Sequence, residues 1–425
     1  MVALKPLSIA LCLPLFFALP ARAAKPGDIK RLRETRECAG CDLKEANLAG
    51  AYLRQANLRG AKLQGANLNG ADLQGSYLKD ANLEGADLRN TNLSDANLEN
   101  ANLQGASLKN TVFSDRTIIA DKWRLVQRLV TQGASGQDLK QADLQGANLN
   151  GADLRQANLE GANLTRATFE GANLTGTNLN RTNLGESNFF IANLRNANLS
   201  QVNLQRASLR AADLRDTNLT GTNLSNADLA AAYFGNADLT GATLRRADLA
   251  TAILRNANLR STNLQGANFT LADLRETNFT GAKLEGTRLT GANLSDASLN
   301  RVSLRGAVPE GATLRNVNLV GADLSKLNLS HTDLSGLNLS NSNLSGTNLS
   351  EANLTGANLT GANLTGANLN RANLSQANLT NAQLSQANFA QANMKQTRLQ
   401  GIQVNSTNFC GAIFPDGSEF KCGKD

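Results

Sequence analysis

The stretch that decides the fold is residues 352–361, Ala352-Asn-Leu-Thr-Gly-Ala-Asn-Leu-Thr-Gly, in which the same five-residue phrase is spoken twice. Followed outward, an apolar residue returns at every fifth position from Leu43 through Phe113 and again from Leu139 through Phe414, 15 and 56 centres in turn, and none of them is charged. With 18% of the chain charged, chance alone would place roughly 13 charges in those slots, so the period reports a geometric constraint.

A helix of period 3.6 scatters such leucines around its circumference, and a strand of period 2 alternates them between faces. Period five fits neither. Two residues before each centre stands a small residue (Ala46, Ala51, Ala147, Thr177, Ala352), and a spacing of two puts both side chains on one side of an extended segment. Both then point inward, the intervening Asn or Asp faces out, and the last two positions, often ending in glycine as at Gln64-Gly65 or Thr355-Gly356, turn a corner. Each pentapeptide is one wall of a wound coil, whose backbone groups bond to the next coil about 4.8 Å away while leucine stacks on leucine inside.

Over residues 38 to 414 this pattern resembles the pentapeptide-repeat family. The resemblance implies an all-β, right-handed quadrilateral β-helix with four walls per 20-residue coil. On that geometry the second block makes 14 coils and the first nearly four, about 85 Å of solenoid at about 4.8 Å per coil. Each coil then touches only its neighbours, and both ends need caps against strand pairing.

The expected organisation is a signal peptide over 1–23, an N-terminal cap over 24–42, a first repeat block over 43–113, an insert over 114–138, a second block over 139–414 and a C-terminal cap over 415–425. Lys5, the apolar run Leu7 to Leu19 and the small-x-small site Ala21-Arg22-Ala23 make the leader, with cleavage expected after Ala23. Interrupted by Pro14 and stopped at Pro20, the run is well short of the roughly 20 residues needed to span a bilayer, so no stable membrane span is expected after cleavage. Cys12 leaves with the leader.

In the insert, Ile119, Trp123, Val126 and Val130 are spaced four, three and four, and Gly133 follows; the spacing predicts one short amphipathic helix over Ala120–Gln132. The lone tryptophan, Trp123, reads either as a docking knob or as a cover for core exposed where the blocks meet, and the cover is the simpler reading. The segment Asp121-Lys-Trp-Arg-Leu-Val, with the Gln-Gly-Ala that follows it, is similar to an insert in exported cyanobacterial members of the family. Pro309 occupies a centre without an N–H to donate, which predicts a local bulge over Val308 to Gly311.

Composition excludes more functions than it selects. Without Lys5 and Arg22 the chain carries 40 basic against 35 acidic residues, a diluted excess unlike the concentrated patch of a nucleic-acid binder, and no nucleic acid is expected as a partner. The single His331 falls on an outward corner, and carboxylates such as Asp143 and Asp153 recur as wall positions rather than converging, so no catalytic residue, metal or cofactor is expected. Asn-Leu-Ser/Thr triplets at Asn163, Asn338 and Asn343 match a glycosylation sequon as a by-product of the repeat. Cys38 and Cys41 stand at one end and Cys410 and Cys422 at the other; the solenoid keeps the pairs apart, so any disulfide is local, and one is expected in each cap, Cys38 with Cys41 and Cys410 with Cys422. A zinc half-site at Cys38-Ala-Gly-Cys41 has no second pair nearby.

One arrangement rises above the background when the second block is wound at 20 residues per coil. After the centres of one wall come Arg155, Arg195, Arg215, Arg255, Arg275, Arg315 and Lys395. A basic stripe of fixed spacing suits a polyanion, such as a lipid head-group array or acidic polysaccharide. Equally, Asp153, Asp213, Asp216, Asp273, Glu276 and Asp296 on the same wall can neutralise it. The stretch from Leu327 to Ala392, by contrast, is almost uncharged.

The function expected is therefore a non-enzymatic, exported scaffold of the periplasm or thylakoid lumen, or outside the cell, meeting a protein or an envelope surface component. The alternatives are a polyanion binder acting through the arginine stripe and, as the family resemblance also implies, a DNA-mimic inhibitor of type II topoisomerases; the latter needs an acidic surface and a cytoplasmic address.

Overall fold

The computed structural model describes residues 24–422; the leader, its cleavage site and Cys12 lie outside them. The chain forms two compact units, the first ending at Ala120 and the second, apart from Leu108–Asn110, starting at Asp121.

Both units are β-helices. In each pentapeptide the outward residue before the leucine makes a single parallel bridge to its counterpart 20 residues on, as Asn158 does to Asn178 and Asn178 to Asn198, so one coil takes four pentapeptides. Leucine centres and the small residues two before them are buried almost without exception. Among the described residues no run is long enough to be called a strand: the walls are one bridge wide, because each must end in a turn.

The pentapeptide Thr177–Arg181 shows why the sequence closes this way, since all five of its backbone N–H groups have partners. Thr177 N–H donates to Leu174 O at 3.1 Å and closes a turn, Asn178 N–H donates to Ala157 O one coil back at 2.9 Å, and Leu179 N–H donates to Asn198 O one coil on at 2.8 Å. Arg181 N–H reaches Ser200 O at 3.3 Å. The fifth, Asn180 N–H, is taken by Asn178 Oδ1 at 3.1 Å. The outward Asn or Asp is thus the acceptor for a donor that neither neighbouring coil can reach. Positive φ at the second turn residue, 56° at Arg181 and 68° at Gly176, is the signature of a type II turn and the reason glycine recurs there.

Most threonine hydroxyls at the small position bond to backbone carbonyls, although the buried Ser76 Oγ finds no partner. Thr177 Oγ1 donates to Leu154 O in the preceding coil at 2.7 Å, and Thr182 Oγ1 to Leu179 O at 2.6 Å.

In the first unit α1 (Pro26–Thr35) carries the buried Leu32 and ends at Arg36, whose left-handed backbone returns its N–H to Leu32 O. The pattern predicts one helix, and among the described residues there are two. With only Leu32 buried, α1 has no apolar stripe to announce it; its signals are Pro26 at the first turn and Asp28. Coiling starts at Glu37, which bridges Asn57 ahead of the first leucine centre. At the far end Asn97 bridges Ile118, one residue more than a coil. The extra residue is absorbed at Ser114–Thr117, where Thr117 Oγ1 still finds Leu93 O.

The second unit opens with α2 (Asp121–Gln132), which buries Trp123, Val126, Leu129 and Val130. Trp123 is 6% exposed, with Lys122 Nζ 4.8 Å from its ring, so it is no projecting knob. Gly133 ends the helix at φ 76°, and Ala134 at once joins the coil through Asp153 O. Coiling then continues to Asn393, which bridges Ile413, and closes with an antiparallel bridge from Ile413 to Glu419. At that end Phe389 stacks on Phe409, and Phe409, Phe414 and Phe420 pack with tilted rings.

Pro309 does break the ladder, over a wider span than its own wall. Val308 keeps its bridge to Arg288, but among the described residues neither Val308 to Asn328 nor Thr313 to Asp333 is bridged. Pro309 and Leu314 lose the burial that the neighbouring centres Leu304 and Leu319 keep. Leu327, in a position usually given to alanine, fills part of the coil, leaving an apolar cavity of about 20 Å³ lined by Leu304, Pro309, Leu314, Leu329 and Leu334. A missing donor and an oversized neighbour together open the seam.

Candidate interaction surface

On the column of centres that starts at Leu154, the arginines project after the leucine and meet carboxylates of the same column. Arg155 clasps Asp153, with Nε on Oδ1 at 2.8 Å and Nη2 on Oδ2 at 2.7 Å. Arg215 holds Asp213 the same way. Asp273 receives two guanidinium groups, Arg275 at 2.6 Å and Arg255 from the preceding coil at 2.7 Å. Arg195 lies 3.5 Å from Asp216. Among the described residues Arg315 and Lys395 make no ion pair.

The hydrogen bond from Arg155 is the main reason the Asp153 carboxyl is held below the usual carboxylate range. At Asp213 burial works the other way, and the hydrogen bonds from Arg215, with the charges of Arg215 and Arg195, outweigh it. Three of the seven stripe cations, Arg155, Arg215 and Arg275, are therefore clasped in bidentate pairs, and Arg195 and Arg255 make single contacts to carboxylates, which leaves less free positive charge for a polyanion than the spacing alone suggests.

The remaining candidates stay apart. Cys38 is bonded to Cys41 with Cα atoms 5.2 Å apart, and Cys410 to Cys422 at 4.8 Å; each pair lies beside a terminal coil. His331 is a left-handed corner residue facing Glu351 at 3.3 Å. Among the described residues no cluster of metal-ligating side chains occurs, and no helix is long and apolar enough to cross a membrane.

A second surface escaped the sequence reading. The corner between the Leu149 and Leu154 columns carries Ile191, Ala211, Ala231, Thr251 and Leu271 on five successive coils, all with positive φ. Beside them lie Phe190, Ala230, Ala250, Tyr233 and Ile253. Ile191 is 52% exposed and Leu271 64%. Residue-by-residue reading hides the cluster, since its members are 20 apart; listing the outward positions by coil would have found it.

A coil of pentapeptides with buried leucine centres defines a solenoid repeat protein. The family model for pentapeptide repeats matches residues 37–75, 76–115, 138–176, 252–291, 292–330, 328–366 and 367–402, and that for a pentapeptide repeat region matches 162–244. More than half the chain is covered, and the protein belongs to the pentapeptide repeat family, whose fold is the right-handed β-helix. Similar solved structures include HetL, a pentapeptide repeat protein involved in heterocyst differentiation regulation in the cyanobacterium Nostoc sp. strain PCC 7120, at 33% identity over 55% of this chain and 91% of that one, TM-score 0.25. QnrB1, a plasmid-mediated fluoroquinolone resistance protein, is 18% identical over 44% and 89%, TM-score 0.32. A pentapeptide repeat protein from the Arabidopsis thaliana thylakoid lumen is 28% identical over 34% and 72%, TM-score 0.11. No curated protein matches.

Proposed function

We propose that this protein is a non-enzymatic scaffold, exported to the periplasm, the thylakoid lumen or the cell exterior, whose four-sided coils present flat outer walls to a protein or envelope component. The observation that carries the reading is the ladder of outward Asn side chains. Asn178 Nδ2 donates to Asn158 Oδ1 at 3.1 Å and Asn198 Nδ2 to Asn178 Oδ1 at 3.3 Å, so the walls are rows of mutually bonded amides. Such a surface is ordered before any partner arrives, which lowers the entropy lost on binding. The paired cysteines beside the terminal coils suit an oxidising compartment.

The arginine pairs favour this reading over a polyanion binder. The basic balance of the chain speaks against a mimic of DNA. Expression of the full chain in a Gram-negative host tests the export: a soluble periplasmic product starting at Ala24 supports it, and an intact cytoplasmic Met1 product refutes it. Heparin retention that falls when Arg195, Arg215 and Arg255 are all changed to Gln would restore the polyanion reading.

A further inference from the structure

Left-handed backbone suits glycine and, next, Asn or Asp; a β-branched residue there is an outlier. Across the described residues the turn positions obey this with polar residues or glycine, and the only apolar residues with positive φ are Ile191, Ala211, Ala231 and Leu271, at 51°, 55°, 58° and 58°. All four stand in one column. Thr251, at 58°, completes five consecutive coils, and Gly151, Gly171, Gly291 and Gly311 continue the column on either side. Left-handed corners recur along the whole solenoid, but among the described residues only this column fills them with apolar side chains, which gain nothing from solvent, and such a gathering marks a surface made to be covered.

We infer that this corner is where a second copy of the chain docks. Three features select that occupant. The flanks carry both signs of charge in local pairs, Arg195 with Asp216, Arg215 with Asp213, Arg255 and Arg275 with Asp273 on one side and Arg210 with Asp228 on the other. A surface of mixed sign complements itself and gives an anionic membrane or a polyanion little to hold. Next, the column alternates in bulk, with Ile191 and Leu271 separated by Ala211 and Ala231 and bounded by glycines. An antiparallel two-fold axis at Thr251 seats Leu271 of each copy on Ala231 of the other and Ile191 over Gly311, a large corner on a small one. Last, two copies share one rise per coil, so a match at one coil repeats along the whole column. Phe190 and Tyr233, 37% and 42% exposed, sit where they border that contact.

This inference goes beyond the scaffold reading, and its failure would leave that reading standing. Sedimentation velocity of the mature chain over a concentration series tests it, alongside the Ile191→Asn/Leu271→Asn variant. Asparagine accepts left-handed backbone, so the variant folds with an unchanged or higher Tm. The expected result is concentration-dependent dimerisation of the parent and at least tenfold weaker association of the variant. In a second arm, Thr251→Cys forms an intermolecular disulfide across the axis. A parent that stays monomeric, or a variant that dimerises equally well, overturns the proposal. So does flotation of the parent, but not the variant, with phosphatidylglycerol vesicles, which would assign the corner to lipid.

Discussion

The guanidinium of Arg215 lies along the carboxylate of Asp213, Nε donating to Oδ1 at 2.8 Å and Nη2 to Oδ2. Arg155 and Asp153 repeat the arrangement, and so do Arg89 and Asp87 in the first unit. In each case the carboxyl is held below its ordinary range in the folded chain. A depressed folded pKa contributes stability that is present above the unfolded value, near 3.9, and lost as pH falls through the folded one. The midpoint of urea unfolding is therefore expected to hold from pH 7 to about 5 and to drop below about 4. Measured down that series, Asp153→Asn/Asp213→Asn should start lower at pH 7 and show a shallower fall; equal slopes would remove the pairs from the account.

Asn178 supplies a different kind of test, because its amide serves the backbone. Changing it to Leu leaves Asn180 N–H without its acceptor and cuts the ladder to Asn158 and Asn198. The expected loss is about 1–2 kcal/mol for an unmet donor and broken side-chain bonds, read from denaturant unfolding. If the Leu variant is as stable as the parent, the outward Asn is only a solvated residue.

The seam at Pro309 should be the first part of the second unit to open. Hydrogen exchange at Gly306, Gly311, Leu314 and Asn316 is expected to be faster than at matching positions one coil away, since fewer coil-to-coil bonds hold them. Replacing Pro309 by Leu together with Leu327 by Ala restores a donor and removes the oversized neighbour. That pair of changes should slow exchange across the seam and raise Tm.

Cys410 and Cys422 close a short loop over the aromatic cluster of Phe409, Phe414 and Phe420. Cys410→Ala/Cys422→Ala should raise exchange in the last coil and leave the coils around Leu179 unchanged, because a solenoid passes stability only between neighbours. Global unfolding of the variant at room temperature would contradict nearest-neighbour behaviour.

How far the sequence could be read follows from what each signal depends on. The leucine centres and the small residue before them were legible because their burial is strictly periodic, and α2 because Trp123, Val126 and Val130 keep helical spacing. α1 was not, since a helix with one buried residue leaves no period. The outward Asn was placed correctly but left without a role, because the N–H it accepts shows only when every backbone donor is followed to its partner. The arginine stripe could be seen, whereas its clasp on Asp153 and Asp213 depends on side-chain geometry that spacing does not fix. The apolar corner from Ile191 to Leu271 is invisible along the chain and plain once the coil length is known.

That coil length is the claim on which the rest stands, and paired cysteines measure it directly. With Asn178 and Asn198 both changed to Cys, the two side chains face outward on adjacent coils, and mass spectrometry after mild oxidation should find them joined. With Asn178 and Asn193 changed instead, 15 residues apart, no such bond should form. Joining of the second pair and not the first would contradict a coil of four pentapeptides.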